Sequence, residues 1–327
     1  MTLASLFDGI GVWQLAAARA GITPLWSSEI DNTCCQITKR HFPNTIQLGD
    51  INLISDAPKV DIITAGSPCQ NLSIAGRREG LHGEKSSLFF KAVELVRRLK
   101  PHFFIWENVT GVLTSNGRLD FKTVIEEILQ EPVPLPRYFS NAGLVDGRLC
   151  QIAWRVLDAQ FWGVPQRRKR IFLVADFATR RAAKILFEPT SLRRNSVQSK
   201  KSQCNLTSRI TFGIGRDAFN QGKNAKFKPS IEQDLQPPLT ARGAAAVATE
   251  KIIRRLTPLE CERLQGLPDD WTAGFSDTQR YKALGNSMAL PCASFILNSL
   301  RKEIVHLDST PPLPTKIYRR HTKRIHA

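Results

Sequence analysis

The sequence predicts an α/β fold built on a mainly parallel sheet. Three observations carry this reading. Short apolar runs of strand length stand at Leu3–Phe7, Leu25–Glu29, Val60–Ala65, Phe103–Glu107, Ala153–Ala159 and Ile171–Ala175. Helix-length stretches such as Val12–Ala20 and Leu88–Lys100 lie between them, the alternation expected of right-handed crossovers onto a parallel sheet. A glycine loop, Phe7-Asp8-Gly9-Ile10-Gly11, joins the first run to the first helix, where such folds admit ligands.

Taken in order, the glycines at 9 and 11 let the backbone approach a ligand closely. Glu29 ends the next run about 20 residues on, the distance at which an acid accepts from ribose hydroxyls. The third glycine of a dinucleotide loop is missing and no Gly-Lys-Ser/Thr follows, so a nucleoside ligand without phosphates, such as S-adenosylmethionine, suits the loop better. Gly49-Asp50-Ile51 precedes the run Val60–Ala65; Asp50 is either an acceptor for an adenine amino group or a turn residue. That run leads into Gly66-Ser67-Pro68-Cys69-Gln70. Pro68 fixes its own φ and biases Ser67 toward an extended conformation, so the Cys69 thiol is held on a stiff turn. A cysteine on a loop leaving a buried strand is a nucleophile candidate, although a small buried apolar role is the commoner one. Glu107 closes Phe103–Glu107 at the same sheet edge, so the two can converge; its other reading is a helix cap or an arginine partner. Gln166-Arg167-Arg168-Lys169-Arg170 is pinned between Val164-Pro165 and the strand beginning at Ile171. Alternation would put Gln166, Arg168 and Arg170 on one side, able to clamp a phosphate or a base edge.

After Asp176 the chain turns polar and basic, and residues 177–250 read as a separate loop-rich module. Thr257, Pro258 and Glu260 then form a capping box for a new helix, and an apolar helix follows over Met288–Leu300. Residues 316–324 make a basic tail that either contacts phosphates or is simply solvated.

Composition narrows the class. The 327 residues suffice for one large domain or a large and a small one. A net charge of +17 points to a polyanionic partner, nucleic acid first. Seven cysteines without a CxxC pair form neither a disulfide framework nor a zinc ligand pattern, and a reducing cytosol fits them. No basic leader opens the chain and no apolar stretch is long enough to span a bilayer.

In this order, Phe-x-Gly-x-Gly, Pro68-Cys69-Gln70, Glu107-Asn108-Val109, Gln-x-Arg-x-Arg, residues 255–266 and Gly285-Asn286-Ser287 closely resemble the DNA cytosine-5 methyltransferase family. The resemblance implies a Rossmann-like class I methyltransferase domain over 1–176 and 279–308. It also implies a target recognition domain over 177–278, bridged by a helix at 257–266, with a basic tail at 309–327. S-adenosyl-L-methionine would be the cofactor, with no metal, and duplex DNA the substrate, bound by a monomer. A cognate restriction endonuclease is the further partner that such enzymes bring to mind.

Residue by residue, Phe7, Gly9, Gly11, Ile30, Ile51 and Pro68 would line the methyl-donor pocket. Glu29 would hold the ribose, Asp50 the adenine amino group, and Asn286 and Ser287 the C-terminal side. Cys69 would be the nucleophile, Glu107 the acid at cytosine N3 and N4, and Arg168 and Arg170 contacts to the flipped nucleotide. Two departures stand out: Ile30 where many members carry an aromatic beside adenine, and Lys85 where arginine is commoner. By residue type alone, Arg209, Arg216, Asn220, Gln221, Lys223 and Arg242 are candidate DNA contacts. The rival readings are a tRNA cytosine-5 methyltransferase, whose Cys-Phe-Thr segment does not appear here, and a non-catalytic DNA-binding relative, which would lack Cys69 or Glu107.

Overall fold

A computed structural model describes residues 1–66, 87–187, 212–216, 230–241, 243–249 and 252–309. The strands of the larger sheet are β1 (Thr2–Leu6), β2 (Thr23–Ser28), β3 (Ile46–Gln47), β4 (Ile62–Ala65), β5 (Phe103–Val109), β6 (Ala142–Asp146), β7 (Gln151–Asp158) and β8 (Lys169–Asp176). Their order is β3-β2-β1-β4-β5-β8-β7-β6. The first five pair parallel, and β8, β7 and β6 continue the sheet antiparallel. The parallel half is as expected. The antiparallel half follows from chain length: the link between β7 and β8, residues 159–168, is shorter than the dozen or so residues a crossover needs.

The strand runs read as continuously apolar because both faces are covered. Leu3, Phe103, Ile105, Phe172 and Val174 point into one hydrophobic cluster, while Ala4, Leu6, Phe104, Trp106 and Leu173 point into the other. The first cluster is closed by α1 (Val12–Arg19), α2 (Asn32–His41), α5 (Ala182–Leu186) and the C-terminal helices α6 (Pro258–Leu264), α7 (Asp277–Asn286) and α8 (Leu290–Ser309). The second is closed by α3 (Ser87–Leu99) and α4 (Leu119–Leu129). The capping box at the start of α6 is present in full. The buried Glu262 carboxylate on α6, 0% exposed, accepts from Thr272 N at 2.8 Å and pairs with Arg280 on α7 at 2.9 Å. It thereby fixes the path of the chain toward Asn286. No described helix is long and apolar enough to cross a membrane.

A second sheet has the order β10-β9-β11-β12, made of β9 (Phe212–Ile214), β10 (Ile231–Gln233), β11 (Ala246–Ala248) and β12 (Ile253–Arg255), all antiparallel. It meets the larger sheet where Gln166 and Gln236 form a parallel bridge, flanked by an Arg167–Glu232 ion pair of 3.0 Å.

Candidate active site

A cleft of about 560 Å³ opens at the carboxyl ends of β1, β2, β4 and β5. This is the edge at which an open α/β sheet binds ligands. Phe7 lines it from the end of β1, in a left-handed conformation (φ 54°) that is strained for an aromatic residue. Gly9, Glu29, Ile30, Asp50 and Ile51 line the same wall, Glu107 and Arg170 a second, and Asn286 and Ser287 a third.

The Glu29 carboxylate is fixed by three backbone donors: Gly9 N to Oε2 at 2.8 Å, and Ile30 N and Asp31 N to Oε1 at 2.8 and 2.9 Å. A carboxylate has about four lone-pair positions, so Oε2 keeps one for a hydroxyl donor. Asp50 Oδ1 accepts from Asn52 N at 2.9 Å and Asn52 Nδ2 at 3.0 Å, which pins the side chain at the head of a short 3₁₀ turn. Ile30 is 76% exposed at the cleft and gives a branched aliphatic surface where an aromatic would give a flat one.

Within the glycine loop the Asp8 side chain is buried, with Gln14 Nε2 donating to its Oδ2 at 2.5 Å. Burial pushes its pKa up to about 7, against hydrogen bonds from Ser5 and Gln14 and with a further push from the Glu29 charge. Folding therefore binds a proton at Asp8 between pH ~4 and ~7, and the fold loses stability as pH rises through that window. Asp8→Asn is expected to melt like wild type at pH 4. At pH 8 it should be more stable by up to about 4 kcal/mol, since one pKa unit is about 1.36 kcal/mol. Thermal melts across that pH range check this.

At the other end, Arg170 Nε pairs with Glu107 Oε1 at 3.0 Å. The antiparallel register sets this contact: Arg170 lies opposite Val109, two residues from Glu107 on the same side of β5. Burial raises the Glu107 pKa above its ordinary value, although the Arg170 and Arg168 charges pull it down. Gly66, the last described residue of the turn after β4, stands so close that a Cβ there would lie 3.4 Å from Glu107 Oε2. Gly66 thus stands beside Glu107, while Pro68 and Cys69 lie outside the described residues, as do Lys85, Arg209, Asn220, Gln221, Lys223 and Arg242.

Two expected site residues sit elsewhere. Gly11 does not line the cleft; it starts α1 at φ 79° with Thr38 and Phe42 packed against its α-carbon. Arg168, only 2% exposed, does not reach the cleft either. Its guanidinium donates to the Leu239 and Gly285 carbonyls at 3.0 Å each and to Ser287 O. Carbonyls at the end of α7 lack helical partners and carry the negative end of its dipole, which draws the buried cation.

Other lining residues were not singled out from the sequence. Gln279, Lys282 and Ala283 join Asn286 in the cleft, on one face of α7 at i, i+3, i+4 and i+7. Counting back from Asn286 would have found them. Opposite, Asp31 caps α2 and pairs with Lys282 at 2.8 Å, and Gln279 Nε2 donates to Thr33 Oγ1 at 3.1 Å, so the two walls are tied across the opening. The Lys282 ammonium holds the Asp31 carboxyl below its usual range.

The family described as C-5 cytosine-specific DNA methylase matches residues 1–204 and 190–302. The type II methyltransferase M.NgoBI of Neisseria gonorrhoeae is 30% identical, over 88% of this chain and 88% of its own. A protein of Escherichia phage P1 named DNA N-6-adenine-methyltransferase is 25% identical over 92% of this chain, which spans 61% of the phage protein. Among solved structures, S. pombe Dnmt2 methyltransferase has the same fold, with a TM-score of 0.60 at 16% identity over 93% of this chain and 99% of that one.

Proposed function

The chain belongs to the C-5 cytosine-specific DNA methylase family, and from that premise we propose that it methylates cytosine within a particular duplex sequence through a covalent Cys69 adduct. The observation that carries this is one cleft that joins Glu107 and Arg170 to Phe7, Glu29, Asp50 and Asn286, beside the strand end from which the Cys69 turn departs. The cleft is of nucleoside size, and its fixed carboxylates suit hydroxyl and amino donors, so S-adenosyl-L-methionine fits the residues present. When bound, that cofactor supplies an electrophilic methyl group.

Cytosine C5 is a poor nucleophile. In the reading offered here, the Cys69 thiolate adds to C6, and the protonated Glu107 carboxyl hydrogen-bonds N3 and takes up the charge that develops in the ring. Arg170 orients Glu107. C5 of the resulting enamine accepts the methyl group. Transfer of the C5 proton to solvent then re-forms the C5–C6 double bond, expels the thiolate from C6 and restores the aromatic ring. A thiol with pKa near ~8.5 is only a few per cent ionised at neutral pH, so the matched acid matters. The base must leave the helix stack to reach the cleft, and the surplus of positive charge holds the phosphates meanwhile. Residues 1–176 with 279–308 would do the chemistry and 177–278 would read the site, Arg216 among its candidate contacts.

Expression in a methylation-free host, followed by nucleoside mass spectrometry and conversion sequencing, tests the reading. It expects 5-methylcytosine at one short sequence. N6-methyladenine alone would replace it with the chemistry in the phage protein's name, and methyl label in tRNA but not DNA would replace the substrate.

A further inference from the structure

Three stretches of backbone that are remote in sequence meet behind the cleft. Arg168 donates to Leu239 O at 3.0 Å and also to Gly285 O and Ser287 O, from a position almost wholly buried. Leu239 lies on the segment between the Gln236 bridge and β11, and so belongs to the run that carries the second sheet. Gly285 and Ser287 flank Asn286, and Asn286 and Ser287 both line the cleft. Independently of Arg168, the same segment rests on the same turn. A Cβ at Gly285 would fall inside the contact distance of the Thr240 carbonyl and of Ala241 N, so any side chain there pushes that backbone aside. Packing and hydrogen bonding therefore fasten Leu239–Ala241 to Gly285–Ser287, and one cannot shift without the other.

We propose that Arg168 is a positioning residue that links the recognition module to the methyl-donor cleft, so that seating DNA on the module tightens the Asn286–Ser287 wall. This rests on the reading that residues 177–278 engage DNA. The guanidinium suits the task because its planar fork presents donors to two backbone segments at once. A lysine ammonium gathers its donors on one nitrogen at the end of a flexible stem, whereas Arg168 reaches Leu239 with Nη1 and Gly285 and Ser287 with Nη2, so lysine loses the rigid span between the two segments. Each buried carbonyl that it abandons loses a partner, and the two segments separate. Coupling of this kind is reciprocal: DNA that strengthens cofactor binding is itself held more strongly by the cofactor-bound protein.

The test measures the affinity of the full chain for S-adenosyl-L-homocysteine, calorimetrically, with and without the duplex bearing the methylated sequence. Wild type is expected to bind about tenfold more tightly with the duplex, within the usual range of inter-site coupling. Arg168→Lys is expected to lose that gain, to within about twofold of none, while retaining a cooperative melt. Gly285→Ala, which forces the Thr240–Ala241 backbone away, should do the same and serves if the lysine variant fails to fold. A merely structural role would weaken both affinities alike and leave their ratio at the wild-type value, and that result overturns the proposal, as does a wild-type ratio of one. DNA methylation by the wild type with unaltered ratios in both variants removes the coupling but leaves the function standing. Failure of the wild type to methylate DNA removes the function itself.

Discussion

Cys69→Ala is expected to bind target duplex as wild type does and to transfer methyl groups more slowly by more than about 10⁴-fold. Phosphate contacts supply most of the binding, and the thiol is not among them. In the proposed mechanism the rate, in contrast, depends on converting the ring to an enamine, for which no other described side chain in the cleft is equipped. Cys34 also lines the cleft, but burial and the Glu29, Asp31 and Asp8 charges drive its pKa far up, so it stays a thiol. Loss of a nucleophile typically removes several orders of magnitude from a single-turnover rate. A filter-binding assay beside single-turnover transfer of labelled methyl checks both halves, and turnover retained in the variant would sink the mechanism. Wild type should also form a denaturant-stable adduct with duplex carrying 5-fluorocytosine at the target, because fluorine at C5 cannot leave as a proton does.

Glu107→Gln is expected to lower the single-turnover rate by about 10²- to 10⁴-fold, the usual contribution of a positioned acid. It should also change the pH profile. In wild type the proposed mechanism expects the rate to rise with pH as Cys69 ionises and to fall again as Glu107 loses its proton. That loss comes at a higher pH than an ordinary glutamate would show, because burial favours the neutral form. An amide does not titrate, so the variant should keep the rising limb and lose the falling one. Rates measured between about pH 5.5 and 9 decide this; a falling limb that persists in the variant assigns the titration to another group.

The parallel half of the sheet was legible because its strands are apolar on both faces and stop at glycine or polar residues. β3 has only two residues, and β6 carries alternating exposure around Gly143, so neither makes a run that stands out from loop. α2 begins Asn32-Thr33-Cys34-Cys35, poor helix formers; it forms because Asp31 accepts from Thr33 N and Cys34 N and because Ile37 and Thr38 pack beneath. The cleft was legible where a motif names its residues, as at Glu29, Asp50, Glu107 and Asn286. Arg168 shows where such reading stops. Alternation gives the side toward which a strand residue leans, but its carbonyl partners lie 71 to 119 positions away, and nothing local announces them. Gly11 is similar: the motif marks the loop, and only the packed Thr38 and Phe42 show that this glycine serves the turn.

The tie between Asp31 and Lys282 joins the thirty-first residue of the chain to the two hundred and eighty-second. In translation, one wall of the cleft emerges 251 residues ahead of the residue that ties the opposite wall to it. A nascent chain can thus build its first strands and the Glu29 carboxylate cradle long before it possesses Lys282, Asn286 or Ser287. A chain interrupted before Lys282 lacks one wall of the cleft however well its earlier part has folded. Synthesis of the chain thus leaves the cleft open on one side until its second wall has been made.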